Sequence, residues 1–299
     1  MLRFLCAMGI FGTIGLFVRW VDLPSSAIVL WRGIFGSIAL YALMRLAGRR
    51  LNVEAIRKNG LRLLFTGVFL SANWIFLFEA YNRTSIATAT LLYYMAPVLL
   101  ILASPVLLKE RITPFKFVCV LFALLGMALV SGFPGASFDG NWDGVLCGIL
   151  SAVFYTALIL NNKFLKDLPD DDLVIAQLGV AALLTLPYVL ATEDVTSFSL
   201  DLTGIAALLA IGILHTTIGC KLYFTSLTRL SAQRIAIFSY LDPVVAIFLS
   251  VVVLGEAMTL SSAVGAVLIL GAALLSETDR KSTRLNSSHS SVSRMPSSA

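Results

Sequence analysis

Charge is what this chain has least of. Asp, Glu, Lys and Arg make up 13% of its 299 residues, against roughly 25% in a soluble domain. With 58% hydrophobic residues and a mean hydropathy of +0.90, it cannot cover itself with polar surface in water, so a cytosolic enzyme is excluded. Histidine is nearly missing, with His215 and His289 alone. No HExxH, GxSxG or GxxxxGK[ST] pattern occurs, which argues against a zinc hydrolase, a serine hydrolase and direct ATP drive. Cys6, Cys119, Cys147 and Cys220 lie in apolar stretches without a CxxC partner. They read as buried free thiols, and the sequence calls for no metal and no cofactor. Strict alternation of apolar and polar residues is also absent, which excludes a membrane β-barrel.

What is present is a series of solid apolar runs, each near the roughly 20 residues that span a bilayer as a helix. Ten can be read: Phe4 to Val21, Ser25 to Met44, Leu63 to Tyr81, Ser85 to Leu108 and Pro114 to Ser131, then Trp142 to Leu160, Leu173 to Leu190, Leu202 to Phe224, Ala232 to Leu254 and Leu260 to Leu275. The first runs into Asp22-Leu23-Pro24 without a small-residue cleavage pattern and reads as a span, not a leader. Thr113-Pro114 reads as a helix start. The net charge of +5 does not point to nucleic acid, because the basic residues sit in short connections. They gather after the even-numbered runs: Arg45 to Arg62 after the second, Lys109 and Arg111 after the fourth, Lys163 and Lys166 after the sixth, Arg229 and Arg234 after the eighth. The positive-inside rule then places both termini in the cytoplasm of a multi-pass protein of the cell membrane. Residues 280–299, rich in Ser, Arg and Asn, read as disordered. They are either a non-native extension or an ordinary basic tail.

The chain also matches itself at an offset of 146. Arg83 to Thr113 lies on Arg229 to Thr259 without a gap, with Arg83/Arg229, Tyr94/Tyr240, Pro97/Pro243 and Glu110/Glu256 among the identities. The offset equals five spans, an odd number, so the second copy enters the membrane from the other side. Inverted repeats of this kind recur in secondary transporters. The stretch from Asn73-Trp74 to Tyr81, then Thr84 to Ala89, Met95-Ala96-Pro97 and Lys109 to Thr113, resembles the EamA-type module of the drug/metabolite transporter superfamily. Tyr240-Leu241-Asp242-Pro243 through Gly255-Glu256 resembles it more loosely, and Arg32 matches an arginine often found there. The resemblance implies an all-α membrane protein of ten helices in two inverted five-helix repeats, residues 1–132 and 142–276, around a central polar cavity. It also implies proton-linked or exchange-type movement of small metabolites, often outward.

Certain residues stand out by depth. Asp242 lies about 15 Å into its helix at 1.5 Å per residue, near the bilayer centre, where a charged group is costly. Asn73, Trp74, Tyr93, Tyr94, Tyr155 and Tyr240 share that band, although Trp and Tyr normally collect at the interfaces. They read as substrate-binding walls of a wet cavity, or as packed core aromatics. Pro97 and Pro243 mark helix breaks at matching positions, which points to a binding site. Arg32 either anchors an acidic group of the cargo or pairs with Glu79. Asp242 and His215 fall on consecutive helices, and together they read as a proton-carrying pair. The rival is that Asp242 only holds the break at Pro243. Glu110 and Glu256 end their helices, and they read as acceptors for N–H groups of the next helix. Gly144 and Gly148, with Gly9, Gly12 and Gly15, read as close-packing positions. The function expected is secondary active transport of a small organic metabolite across the cytoplasmic membrane by alternating access, as proton-coupled export, with an amino acid or a relative first among candidates. The alternatives are a facilitative exchanger of another metabolite or drug and an intramembrane enzyme. The partners expected are the cargo and the bilayer, with no nucleic acid, in a monomer or weak homodimer.

Overall fold

The computed structural model describes residues 1–18, 20–83, 89, 92–110, 113–130, 142–165, 167–254, 259–261, 263–272 and 274–275. The tail 280–299, the connection 131–141, Glu256 and the Thr84–Thr88 part of the motif lie outside them. The described residues are helical, without a strand. In order come α1 (Leu2–Gly12), α2 (Ile14–Val18), α3 (Ser25–Leu46), α4 (Val53–Lys58), α5 (Gly60–Arg83), α6 (Ala96–Leu107), α7 (Pro114–Val130), α8 (Trp142–Asn162) and α9 (Asp170–Thr192). Then follow α10 (Leu202–Ala210), a π-helical stretch (Ile211–Cys220), α11 (Lys221–Leu227), α12 (Ala232–Ser239), α13 (Leu241–Leu254) and α14 (Ala263–Ala272). Five helices, Ser25–Leu46, Gly60–Ala80, Trp142–Asn162, Asp170–Thr192 and Leu202–Leu227, are long and apolar enough to cross a membrane, and shorter apolar helices accompany them. Each of the ten runs read from sequence has a helical counterpart among the described residues.

Local chemistry sets the helix ends. The Lys116 N–H is 3.4 Å from the Thr113 hydroxyl oxygen, with Pro114 at the first helical position, as the Thr-Pro pair predicts. Asp201 accepts the Gly204 N–H at 2.7 Å and starts α10. Asp170, Asp171 and Asp172 fill the first turn of α9, where carboxylates complement the helix dipole. They also tie down basic side chains. Arg229 meets Asp170 at 2.7 Å, while Arg49 and Lys221 both reach Asp171. Lys221 is thereby drawn onto a buried acid. The basic connection after α3 holds the short helix α4, capped by Asn52.

The halves interlock and run in opposite directions. α5 packs most extensively on α8, and α9 packs on α3 and α5. Arg83 and Arg229 are equivalent in the repeat, yet they lie at opposite ends of α9. Arg83 bonds Glu79, which also takes the Tyr188 hydroxyl near the C-terminus of α9, while Arg229 bonds Asp170 at its N-terminus. Eighteen residues separate Asp170 from Tyr188, about 27 Å along a helix axis.

Small residues allow the closest approaches, although not all those expected. A Cβ on Gly12 would stand 2.8 Å from the Asp242 carbonyl oxygen and 2.6 Å from the Val245 Cβ, and one on Gly148 would stand 2.8 Å from Leu92. Gly9 has open space around it. Of the four cysteines, Cys119 and Cys220 are buried as expected, but Cys6 is exposed and Cys147 intermediate. An apolar run fixes membrane depth, not which helix face turns inward.

Candidate functional site

Four irregularities in the helices converge near the middle of the bundle. The first span breaks at Thr13, between α1 and α2. Its hydroxyl donates to the Ile10 carbonyl at 2.7 Å, which leaves its oxygen to accept from His215 Nε2 at 2.8 Å. The eighth span widens into the π-helical stretch, where Thr216 and Thr217 hydroxyls bond the carbonyls five residues back, of Ile211 and Gly212. Such windings are rare and frequent at functional sites. The fourth span turns at Tyr94 and Met95, and the ninth at Tyr240. Pro97 and Pro243 therefore sit in the first turn of the downstream segments α6 and α13, where a missing N–H costs little. The turns themselves fall two or three residues upstream of the prolines. Met95 N–H bonds the Leu92 carbonyl at 3.0 Å, and Tyr240 N–H bonds that of Ile237 at 3.3 Å.

The two broken helices hold each other across the repeat. Tyr240 hydroxyl donates to the Tyr94 carbonyl at 2.8 Å, and Tyr94 hydroxyl donates to an Asp242 carboxylate oxygen at 3.3 Å. Their rings stack with centroids 5.8 Å apart. Unwinding frees backbone acceptors, and in a dry core these need internal donors.

Between the halves lies a cavity of about 550 Å³. Arg32, Asn73, Trp74, Tyr93, Tyr94, Tyr155, Asp242, Pro97 and Pro243 all line it, so the structure gathers most of the residues singled out by depth. Two stand back from it. Tyr240 is fully buried and acts through its bond to Tyr94. His215 is fully buried, packs edge-on against Phe17 at 5.1 Å and bonds Thr13. The expected apposition of His215 and Asp242 does not occur: each has its own partner. Sequence position sets neither the rotation of a helix nor its exact depth, so it does not decide this pairing. Asn73 lies at the wall, but its amide is engaged. It donates to Ser151 carbonyl and hydroxyl at 3.0 and 2.9 Å, and that hydroxyl returns a bond to the Asn73 carbonyl. It therefore clamps α5 to α8.

Tyr155 and Tyr93 stack at 5.2 Å, and Tyr94 stands across Tyr93 at 82°. Tyr155 hydroxyl bonds Tyr223 hydroxyl. Tyr223, with Cys220 and Phe224, also lines the cavity, and sequence reasoning missed all three. The signal was there: Thr216, Cys220, Tyr223 and Phe224 recur at the spacing of one helix face. Arg32 is not paired with Glu79. Its guanidinium lies 5.2 Å from the Trp74 ring centre, and its Nε donates to Thr216 at 3.2 Å.

The cavity wall runs from Val18 and Ser25 at one end of the bundle to Leu158 and Phe224 toward the other. Past Leu158, the basic end is tied across the halves. Glu110, at the end of the fourth span, accepts the backbone N–H of Ala232 at 3.0 Å. Its partner is thus the first residue of α12 in the other repeat, not the next helix in sequence as expected. Lys163 bonds the Leu230 carbonyl and lies 3.8 Å from Glu110, and Lys116 donates to Gln233 at 2.9 Å.

A helical membrane bundle whose opposed halves enclose a polar and aromatic chamber has the architecture of a transporter. Comparison with known proteins makes the class specific: residues 1–132 and 142–278 match the EamA-like transporter family, and the chain belongs to that family. It is 29% identical over 272 residues to the uncharacterized transporter YxxF of Bacillus subtilis (strain 168), covering 90% of this chain and 86% of that protein. It is 28% identical over 221 residues to the pseudopaline exporter CntI of Pseudomonas aeruginosa (strain UCBPP-PA14), covering 73% and 74%. A solved crystal structure superimposes with a TM-score of 0.83 at 21% identity, over 92% of this chain and 95% of that one, which shows the same fold.

Proposed function

We propose that this transporter moves a small amphipathic organic metabolite outward across the cytoplasmic membrane by alternating access, in exchange for protons. Amino acids and their relatives are the first candidates, and both termini lie in the cytoplasm. The observation that carries the reading is the cavity between the inverted halves, with one carboxylate, Asp242, on its wall beside the break at Pro243. Two similar halves inserted oppositely provide two related states, one open to each side. Asp242 takes a proton on the outer side, which lowers the cost of closing a dry chamber around it, and releases it inside. His215 keeps a place in this reading as a hinge residue: it holds the break in the first span through Thr13, at a distance from the proton site. The loop charges support the orientation, and a relative named as an exporter supports the direction.

Proteoliposomes test it. Wild-type protein should convert an imposed pH gradient into net cargo movement, while Asp242→Asn, which keeps the shape but cannot carry a proton, should retain exchange and lose the gradient-driven component. An unchanged pH dependence of net transport in Asp242→Asn would exclude Asp242 as the proton carrier.

A further inference from the structure

Among the described residues, Arg32 is a cation without an anion beside it. It lies seven residues past the start of α3 at Ser25, about 10 Å along the axis, and it lines the cavity. Its neighbours are neutral: the Thr216 hydroxyl, the face of Trp74 and the Cys220 thiol. Three carboxylates placed toward the same end of the bundle have partners of their own. Glu79 holds Arg83 and Tyr188, Glu193 accepts from Ser26 at 2.5 Å, and Asp201 caps α10. Asp242, on the shared wall, accepts from Tyr94. Among the described residues no carboxylate comes within ion-pair distance of Arg32.

The surroundings orient the group without neutralising it. Thr216 hydroxyl donates its proton to the Ile211 carbonyl five residues back, so its oxygen is free to accept from Arg32 Nε. That geometry depends on the π-helical winding. The indole of Trp74 holds the guanidinium from the side. A guanidinium keeps its proton throughout the accessible pH range and offers a planar fork that fits a carboxylate at two points. With Nε engaged by Thr216 and the Cys220 thiol beside the group, the terminal nitrogens are the edge left to face a ligand.

We infer that Arg32 is the residue that recognises a carboxylate on the cargo, with Thr216 and Trp74 as its positioning residues. Asp242 on the same cavity repels a second carboxylate and favours an ammonium, and Tyr93, Tyr94 and Tyr155 supply aromatic faces that attract one. The cargo is therefore a zwitterion held in one orientation, acid toward Arg32 and amine toward Asp242. This rests on the reading of the cavity as the cargo site.

The test uses the full-length protein in nanodiscs and phenylglyoxal, which modifies accessible guanidinium groups, with peptide mapping to separate Arg32 from the loop arginines. The probes are two matched pairs, 3-phenylpropionate with its amide and phenylalanine with phenylalaninamide. The acids should slow modification of Arg32 by about tenfold or more, consistent with a charge-assisted bond, and the amides should leave it unchanged. Equal effects of acid and amide, including none from either, overturn the inference, as does an Arg32 that the reagent cannot reach. In counterflow, Arg32→Lys, which keeps the charge and loses the fork, should lower the preference for acid over amide by about tenfold. Retention of the wild-type preference also overturns it. If the acids protect Arg32 but no cargo exchanges across wild-type vesicles, the transport reading fails and the carboxylate site stands. If wild-type vesicles exchange cargo with acids and amides competing alike, the carboxylate site fails and the transport reading stands.

Discussion

Replacing Glu110 by alanine should loosen the basic end of the bundle and shift the protein toward a state open on that side. The carboxylate accepts the Ala232 N–H at 3.0 and 3.3 Å through its two oxygens, at the first turn of α12. A hydrogen bond to a charged acceptor contributes about 1.5–3 kcal/mol, and a carboxylate at a helix N-terminus adds about 0.3–1 kcal/mol. Glu110 side chain is 25% exposed, so the lower part of the combined range applies, about 2–3 kcal/mol. Lys163, only 6% exposed and 3.8 Å away, loses its neighbouring anion at the same time. These contacts bridge the two halves, so their loss acts on the closed state alone. At about 1.4 kcal/mol per factor of ten, the open population should rise about 30- to 150-fold. Ser239 lines the cavity and provides the reporter. In a background without Cys6, Cys119, Cys147 and Cys220, a Ser239→Cys variant in inside-out vesicles should react with a membrane-impermeant maleimide faster by that factor when Glu110→Ala is added. Glu110→Gln, which keeps an acceptor without the charge, should fall between. An unchanged labelling rate in a protein of normal thermal stability would refute the assignment of Glu110 as a tie between the halves.

Other expectations follow from single contacts. Gly12→Ala places a Cβ 2.8 Å from the rigid Asp242 carbonyl and should destabilise the protein by about 1–3 kcal/mol; a melting temperature equal to wild type would contradict the close packing of α1 on α13. A single cysteine at Glu193 should label from outside in intact cells and one at Glu54 should not, and the reverse pattern would invert the orientation. Trp74→Ala should weaken cargo binding while leaving folded protein in the membrane, because the indole holds Arg32 from one side; unchanged transport kinetics would reduce Trp74 to packing.

Much of this protein is fixed by its sequence alone. Apolar runs of spanning length dictate helices, because a backbone in hydrocarbon must bond within its own segment. Loop arginines and lysines carry the orientation proposed above, and the 146-residue self-match carries the opposed halves. Pro97 and Pro243 announce broken helices, since a proline cannot donate to the turn before it. Depth is also legible, as 1.5 Å per residue turns position into distance, which is why Asn73, Trp74, Tyr93, Tyr94, Tyr155, Tyr240 and Asp242 read as one layer in the sequence. Rotation and pairing were not legible. A helix shows its whole circumference in sequence, and only packing decides which stripe faces the cavity. Tertiary contacts turned His215 to Thr13 and away from Asp242. They left Arg32 with Thr216 and Trp74 while Glu79 went to Arg83 and Tyr188, and they brought Glu110 to Ala232 of the other repeat. The π-helical winding that sets Thr216 beside Arg32 was also decided there, because no residue type in Ile211–Cys220 requires five residues per bond until neighbouring helices fix where its hydroxyls must point.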